Sequence, residues 1–405
     1  MLSPADNDLL TFTGPGTKMG ALIRRYWIPA LLSEEIAEPD GAPVRVRLMG
    51  EKLVAFRDSD GRVGLLAEHC RHRGASLFFG RNEECGLRCL YHGWKYDVTG
   101  KVVETPAEPS ENLLQQGIQH TSYPTVEKAG IVFAYLGPKE EQPLFPDYGW
   151  TSLPATHTYV TKSLQECNYL QGLEGECDSS HLSFLHRTFA GPGSNRAIFT
   201  SRAPRYEVEQ TDFGARLIAT RSLDDGGANV RLSSFVMPLS CWVPARNKEV
   251  HIYVPIDDTH SWRYDFGYLD RPATEADWGR RKDLDADYRK LANAGNDYLQ
   301  DRDKQREENF TGMGSFLTHD SCMTESMGPR YDRSQEYLGM SDLALVTVRR
   351  ILLNAVKGLD KGKAPPHLVR DAAQNRFPDI DTFDMIIAKG EDWRAAAPHL
   401  AFSRA

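Results

Sequence analysis

The chain has 405 residues, enough for two or three domains with a sizeable core. Its content of 40% hydrophobic and 26% charged residues excludes long disorder as the main feature. A formal net charge of −8 argues against a surface that follows nucleic-acid phosphates and against a polybasic membrane patch. We therefore expect neither nucleic acid nor membrane among the partners, and any macromolecular partner to be another protein.

The N-terminal stretch lacks the basic and apolar regions of a signal peptide, and no segment approaches the ~18 apolar residues of a membrane span. Seven cysteines are dispersed along the chain, an odd count that does not form a disulfide framework. Both observations predict a cytoplasmic, reduced protein. The close group Cys70, Cys85 and Cys89 then needs another explanation.

The first part of the chain is predicted to be built from short antiparallel strands. Alternating apolar residues and turn signals run from Val44 to Leu66 and resume between Leu90 and Val103. The segment from Gly137 to Pro154 is rich in proline and glycine, which is typical of a boundary between domains.

The second part combines a predicted sheet with helices. A glycine-interrupted helix is expected within Leu164–Phe189, a charged helix or helix pair within Thr274–Asn309, and an amphipathic helix from Asp342 to Leu359. Five strands are predicted between the first two of these segments, at Tyr206–Glu209, Arg216–Arg221, Val230–Val236, Val250–Val254 and Arg263–Tyr268. The chain as a whole is thus predicted to be an α+β protein.

Two short motifs place thiolates and imidazoles at ligand spacing. Cys70-x-His72 is followed, after sixteen residues, by Cys89-x-x-His92. Two cysteines and two histidines bind either tetrahedral zinc or a Rieske [2Fe–2S] cluster, in which two cysteines hold one iron and two histidines the other. The spacing favours the cluster, because C-x-H is not the usual zinc knuckle. Cys85 lies outside this pattern and is expected to be an ordinary loop cysteine.

The segments Cys70-Arg71-His72-Arg73-Gly74-Ala75 and Cys89-Leu90-Tyr91-His92-Gly93-Trp94 resemble the signature of the Rieske non-haem iron oxygenases. The resemblance implies an N-terminal Rieske [2Fe–2S] β domain over residues 1–150. It also implies a catalytic domain of the helix-grip type, an antiparallel sheet plus helices, over residues 151–405, which carries a mononuclear Fe(II).

A second motif, Asp178-x-x-His181-x-x-x-x-His186, offers ligands for this iron. On an ideal helix the two histidines differ by about 140°, so the helix must be distorted or end here for both rings to meet one metal. A further carboxylate must complete a 2-His-1-carboxylate site that leaves positions open for O₂. The family resemblance implies that His181 and His186 bind iron. It further implies that Asp178 bridges His181 to a cluster histidine of a neighbouring subunit, matching His92, in a head-to-tail trimer or a pair of stacked trimers.

The third iron ligand is predicted to be Asp342, which matches the family's position for the carboxylate. The alternative is a helix cap, because a Ser-Asp pair before an apolar run is a common helix N-terminus. Other candidates are Asp332, Glu325 and Glu336.

The resemblance is closest to the phthalate dioxygenase-like branch, over stretches that include Leu173–Gly175, Val254–His260 and Glu325–Pro329. It implies a terminal oxygenase that uses O₂ and electrons from a separate NAD(P)H-dependent reductase, carrying FMN and [2Fe–2S], to convert a phthalate- or chlorobenzoate-like acid to a cis-diol. Three alternatives remain open: O-demethylation or aryl-ether cleavage of an aromatic acid, a Rieske electron carrier without oxygen chemistry, and a zinc-stabilised binding protein.

An aromatic carboxylate would need a cation in the pocket, since burying an unpaired anion is costly. Arg205 and Arg246, at predicted strand ends, are the candidates, with Arg202 as a third. Otherwise they are solvated arginines at strand edges.

Overall fold

Short strands joined by tight turns form the first part of the chain. The structure is a computed structural model that describes residues 1–109, 117–189, 196–245, 247–398 and 400. Two helices, α1 (Pro4–Thr11) and α2 (Lys18–Ile23), come first. Ten strands follow: β1 (Trp27–Leu32), β2 (Val44–Leu48), β3 (Glu51–Arg57), β4 (Val63–Ala67), β5 (Arg81–Glu83), β6 (Gly86–Arg88), β7 (Lys95–Tyr96), β8 (Val102–Glu104), β9 (Thr125–Lys128) and β10 (Ile131–Tyr135).

These ten strands make three small antiparallel sheets, in the orders β1-β10-β9, β2-β3-β4 and β5-β6-β7-β8. The predicted hairpins between Val44 and Leu66 are thus confirmed. A buried cluster around Phe56, Leu87 and Tyr96 fills the space between the second and third sheets, beside the two metal-binding motifs.

One large antiparallel sheet dominates the second part. Its strands are β11 (Thr158–Gln165), β12 (Arg205–Thr211), β13 (Gly214–Ser222), β14 (Ala228–Val236), β15 (Ser240–Pro244), β16 (Lys248–Pro255) and β17 (Ser261–Tyr268), with β18 (Phe383–Ile387) paired to β14. Their order is β11-β17-β16-β15-β14-β13-β12, so β12 forms one edge. The five predicted strands and the α+β class are confirmed.

Helices cover this sheet and carry the second motif. They are α3 (Tyr169–Cys177), α4 (Arg196–Thr200), α5 (Arg302–Glu307), α6 (Phe316–Ser326), α7 (Leu343–Leu359) and α8 (Trp393–Ala396). Helix α3 lies against β15 and β16, and α7 lies against β12 and β13. A side chain on Gly172 of α3 would collide with Tyr253, since an added Cβ would lie 2.1 Å from the ring. Glycine therefore lets α3 approach the sheet closely.

The prediction of a long helix within Thr274–Asn309 is wrong. This segment holds two runs of 3₁₀ turns, Glu275–Asp283 and Ala294–Leu299, and only the short helix α5. It carries many charges but few apolar residues at helical spacing, so no continuous face packs on the core. The amphipathic helix α7 is confirmed, with Val348, Leu352 and Val356 buried.

One continuous core joins the two parts of the chain. It contains apolar residues of α1 and α2, of the first small sheet, of the large sheet and of α7. Both N-terminal helices lie against α7, and Lys357 of α7 pairs with Asp6 at 2.8 Å. The boundary near residue 150 stays a prediction. Across the described ranges, every helix is too short or too polar to cross a membrane.

Candidate metal centres and substrate cavity

Two loops of the same shape carry the first motif. In each, a glycine amide donates to a cysteine carbonyl four residues earlier, Gly74 to Cys70 at 2.9 Å and Gly93 to Cys89 at 3.0 Å. Both glycines have a positive φ, +75° and +76°, which side chains rarely adopt. The glycine in each motif therefore turns the chain so that cysteine and histidine face the same point.

The four predicted cluster ligands lie together at the tip of these loops. Cys70 and Cys89 are 3% and 2% exposed, and the rings of His72 and His92 lie 4.4 Å apart between centroids. His72 stacks on Trp94, with centroids 4.8 Å apart. The sequence prediction of two thiols and two imidazoles at one place agrees with this geometry.

The surroundings of Cys70 and His72 fit a bound cluster. The Tyr96 hydroxyl lies 3.0 Å from the Cys70 sulfur and accepts from the Arg71 amide at 3.1 Å, so its proton points to the sulfur. Burial and the neighbouring Cys70 raise the pKa of Tyr96, which keeps this proton in place. The buried Nδ1 of His72 makes no hydrogen bond to any residue that the structure describes. A buried nitrogen without a hydrogen bond is costly unless a metal takes it.

The second motif lies where helix α3 ends. Asp178 is the C-terminal cap of α3, and His181 opens a 3₁₀ turn, so the two histidines are no longer on one ideal helix. Their ring centroids are 5.1 Å apart. The expected break in the helix is thus present, and it brings His181 and His186 together.

Asp178 contacts His181 rather than joining the ligand set. Its Oδ2 lies 3.4 Å from His181 Nδ1 and accepts the His181 amide at 3.1 Å. Its Oδ1 accepts the Ser180 amide at 2.7 Å and the Tyr206 hydroxyl at 3.2 Å. Burial opposes ionisation, but His181 and the two amides lower the pKa of Asp178, so the carboxylate is charged.

The carboxylate that joins the two histidines belongs to Asp320 on α6. One ligand atom from each of His181, His186 and Asp320 lies within 4.8 Å of the others. Asp320 Oδ1 is 2.8 Å from Nε2 of His186, whose side chain is 1% exposed. Two imidazoles and one carboxylate are the donor set of a non-haem iron site, so the residues fit that metal.

The prediction of Asp342 as the third ligand is therefore corrected to Asp320. Asp342 lies at the start of α7, where its carboxylate accepts the Gly339 amide at 2.6 Å. This is the helix-cap alternative, which satisfies an amide at the helix N-terminus. The other candidates are also engaged elsewhere. Glu325 pairs with Lys290, Glu336 with Arg349, and Asp332 accepts the Ser334 amide.

A buried guanidinium holds the other oxygen of Asp320. Arg263 is 2% exposed, and its three nitrogens reach Asp320 Oδ2 at 3.3 Å, Glu176 at 3.1 Å and Asp265 at 2.8 Å. Burial opposes the charge on Asp320, but His186 and Arg263 lower the pKa of its carboxyl. Arg263 thus leaves Oδ1 of Asp320 to face the histidines.

His251 extends this charged network. Its ring lies 2.8 Å from Glu176 at Nδ1 and 3.0 Å from Glu249 at Nε2. Burial disfavours the imidazolium, but Glu176 more than compensates and raises the pKa of His251 to about 9. His251 is therefore a buried cation at neutral pH.

A cavity of about 710 Å³ opens beside the two histidines and Asp320. This volume suits a drug-sized or smaller ligand. Its walls combine polar groups, among them Arg231, Ser233 and Asp384, with an apolar surface formed by Leu182, Phe189, Ile198, Phe199, Leu217, Val243 and Phe316.

The predicted substrate arginines are placed elsewhere or not described. Arg205, the first residue of β12, is exposed and lines an outer depression together with Arg202, Asp178 and Met340. Arg246 lies outside the described residues, directly after Ala245, which lines the cavity. The cavity-lining arginine that can face an anion is Arg231, whose Nη1 donates to the Pro244 carbonyl at 2.6 Å and lies 3.3 Å from Asp384.

Sequence reasoning missed Asp320, Arg263 and Arg231. One signal was available for Asp320, since the buried residues of α6 include Thr318, His319 and Ser321, an unusually polar set for a packed helix. For the arginines, strand alternation alone does not separate a cavity-facing residue from a solvated one.

Comparisons with known proteins agree with this description. Residues 26–124 match the model of the Rieske [2Fe–2S] domain, and residues 134–403 match the model described as LigXa C-terminal domain like. The phthalate 4,5-dioxygenase oxygenase subunit of Pseudomonas putida is 42% identical, over 97% of this chain and 94% of its own length. The 3-chlorobenzoate-3,4-dioxygenase oxygenase subunit of Comamonas testosteroni is 35% identical, over 96% of each.

The fold is also similar to that of solved proteins. A crystal structure of dicamba monooxygenase bound to 3,6-dichlorosalicylic acid matches 84% of this chain and 99% of its own, with a TM-score of 0.61. At 18% sequence identity, this likeness concerns the fold.

Proposed function

Because the chain belongs to the Rieske non-haem iron oxygenases of the phthalate dioxygenase-like branch, we propose that it hydroxylates an aromatic carboxylate to a cis-diol as a terminal oxygenase subunit. The observation that carries the proposal is the cavity, in which His181, His186 and Asp320 meet an apolar wall and a cation. Its natural substrates are phthalate- or chlorobenzoate-like acids, in line with the names of the relatives.

The ligand sets follow from the two groups of side chains. Cys70 and Cys89 would hold one iron of the Rieske cluster, and His72 and His92 the other, with His72 Nδ1 free of hydrogen bonds among the described residues. His181, His186 and Asp320 would hold the mononuclear iron. When bound, the cluster supplies single electrons and the mononuclear iron activates O₂.

The cavity walls would position the aromatic ring and exclude water. Phe189, Phe199 and Phe316 give the ring an apolar surface beside the iron ligands. The buried Arg231 would pair with the carboxylate and so fix which ring carbons face the iron. Arg246 remains a predicted second cation, since its neighbour Ala245 lines the same cavity.

Asp178 would pass electrons between subunits. It holds His181 on one side, and its side chain is 23% exposed in an outer depression that His181, Phe184 and Met340 also line. The Rieske tip exposes Leu90 and Tyr91, at 61% and 57%. We propose that the tip of a second copy docks in this depression, with its histidine equivalent to His92 on Asp178, in a trimer or a pair of stacked trimers.

A separate reductase would reduce the cluster, since no flavin or pyridine-nucleotide domain matches beside the two families found. Both relatives are named as oxygenase subunits, which supports a division between oxygenase and electron donor. We propose an NAD(P)H-dependent donor with FMN and its own [2Fe–2S] cluster.

Product analysis tests the proposed reaction. The chemically reduced, iron-loaded protein would be mixed with O₂ and, separately, with phthalate, 3-chlorobenzoate, a methoxybenzoate and a phenoxybenzoate, and the products read by mass spectrometry. A gain of two oxygens and two hydrogens supports the dioxygenase. Loss of a methyl or aryl group would instead establish ether cleavage. An electron carrier or a zinc protein would leave every acid unchanged.

A further inference from the structure

Tyr206 stands in the wall between the substrate cavity and the outer depression. It lines both, whereas neither Ser180 nor Met340 of the depression reaches the cavity. The residue belongs to the edge strand β12, paired with Ala219 of β13, which also lines the cavity. A movement of its ring would therefore be felt on both sides.

The hydroxyl of Tyr206 ends in the loop that holds Asp178. It donates to Asp178 Oδ1 at 3.2 Å, accepts the Ser179 amide at 3.1 Å and lies 2.9 Å from the Ser180 hydroxyl. Because its own proton goes to the carboxylate, the Ser180 hydroxyl is the donor in the third contact. Burial and the nearby Asp178 raise the pKa of Tyr206, so the phenol keeps this proton.

The rest of this loop is anchored independently of Tyr206. The fully buried Arg221 donates to the Ser179 carbonyl at 2.6 Å and to its hydroxyl at 3.0 Å. The amides of Ser180 and His181 hold Asp178 from below. Removing the phenol hydroxyl would thus leave the loop in place and release one oxygen of Asp178.

We propose that Tyr206 is a positioning residue that couples occupancy of the substrate cavity to the electron bridge: an aromatic acid packed on its ring fixes the phenol, and the phenol fixes the Asp178 carboxylate for transfer to His181. This inference rests on the proposed function, because it takes Asp178 as the bridge. It adds the element through which the substrate controls electron transfer.

The test follows oxidation of the pre-reduced cluster. The full-length, iron-loaded Y206F protein would be mixed with O₂, with and without phthalate or 3-chlorobenzoate, and the cluster absorbance recorded. Y264F is the matched control, since the buried Tyr264 hydroxyl makes no hydrogen bond within the described residues and does not line the cavity. Iron content, cluster spectrum and the dissociation constant of each acid give readouts that do not depend on turnover.

We expect Y206F to retain iron, the cluster spectrum and acid binding within about two-fold, because its ring is unchanged. Cluster oxidation should slow about ten-fold, the ratio expected for a lost hydrogen bond to a charged group. The acceleration by the acid should shrink toward one. A Y206F protein with the rate and acid response of the Y264F control would overturn the inference.

Two further variants keep the outcome readable. If Y206F does not accumulate folded, S180A removes a donor to the phenol but keeps the amide on Asp178, and we expect a slowing of a few fold; an unchanged rate contradicts the inference. D178N reports on the bridge itself. If D178N oxidises its cluster at the wild-type rate, the proposed electron bridge fails, whereas a slow D178N beside a normal Y206F rejects only the role of Tyr206.

Discussion

Asp320 and His186, from two helical segments 134 residues apart, meet at 2.8 Å between Oδ1 and Nε2. Arg263 occupies the other oxygen of Asp320, so the carboxylate presents a single oxygen toward the histidines. A guanidinium that fixes a ligand in this way restricts its rotation before any metal arrives. The site is therefore largely preorganised by charged contacts inside the fold.

Changing Asp178 to Asn should stop electron transfer while both metal sites stay loaded. The amide is nearly isosteric but lacks the charge that orients the His181 ring. We expect turnover to fall by about 100-fold. Iron content and cluster absorbance, measured beside turnover, check this, and near-normal turnover with both centres present would refute the bridging role.

The Y96F variant should lower the reduction potential of the cluster. The Tyr96 hydroxyl donates to the Cys70 sulfur at 3.0 Å, and such bonds stabilise the more negative, reduced state. We expect a decrease on the order of tens of millivolts, measured by redox titration. Y123F is the control, because Tyr123 lies in the same part of the chain and its hydroxyl contacts Glu51 instead. Equal potentials for both variants would contradict the hydrogen bond.

Replacing Arg231 with Gln should weaken the use of aromatic acids. A buried charge-assisted hydrogen bond to a carboxylate would be lost, so kcat/KM should fall about 10- to 100-fold. R205Q tests the sequence-based alternative, and we expect a smaller change there because Arg205 is exposed. Steady-state kinetics with one acid decide between the two arginines. A larger loss in R205Q would return the anchor to β12.

The buried His251 makes the stability of the fold depend on pH. Because Glu176 raises its pKa to about 9 in the folded chain, above the unfolded value near ~6.5, the stabilisation is complete below pH ~6.5 and is lost as pH rises through about 9. The thermal midpoint of H251Q should lie furthest below wild type at pH 6 and approach it by pH 9.5. A difference that does not vary with pH would show that His251 is neutral in the fold.

Local sequence patterns were enough for the parts of the fold in which structure depends on near neighbours. The Cys70 and Cys89 motifs sit in turns whose glycines fix the backbone, so their spacing alone gave the ligand group. The same holds for Asp178, His181 and His186, which one helix end brings together. Helix α7 follows from its apolar stripe.

Contacts between distant segments were beyond such patterns. Asp320 reaches the histidines only because α6 packs against α3, and nothing in its own neighbours sets it apart from Asp342. A Ser-Asp pair before an apolar run serves equally well as a cap, and in Asp342 it does. Arg231 and Arg205 both lie on strands of one sheet, and only the folded sheet separates the cavity wall from the outer edge.

Iron counting in two aspartate variants tests the central claim most directly. The account predicts about three iron atoms per chain in the wild type, two in the Rieske cluster and one at His181, His186 and Asp320. D320A should retain about two, with an unchanged cluster spectrum, whereas D342A should retain all three. Loss of the third iron from D342A, with D320A still fully loaded, would contradict the assignment of the catalytic centre.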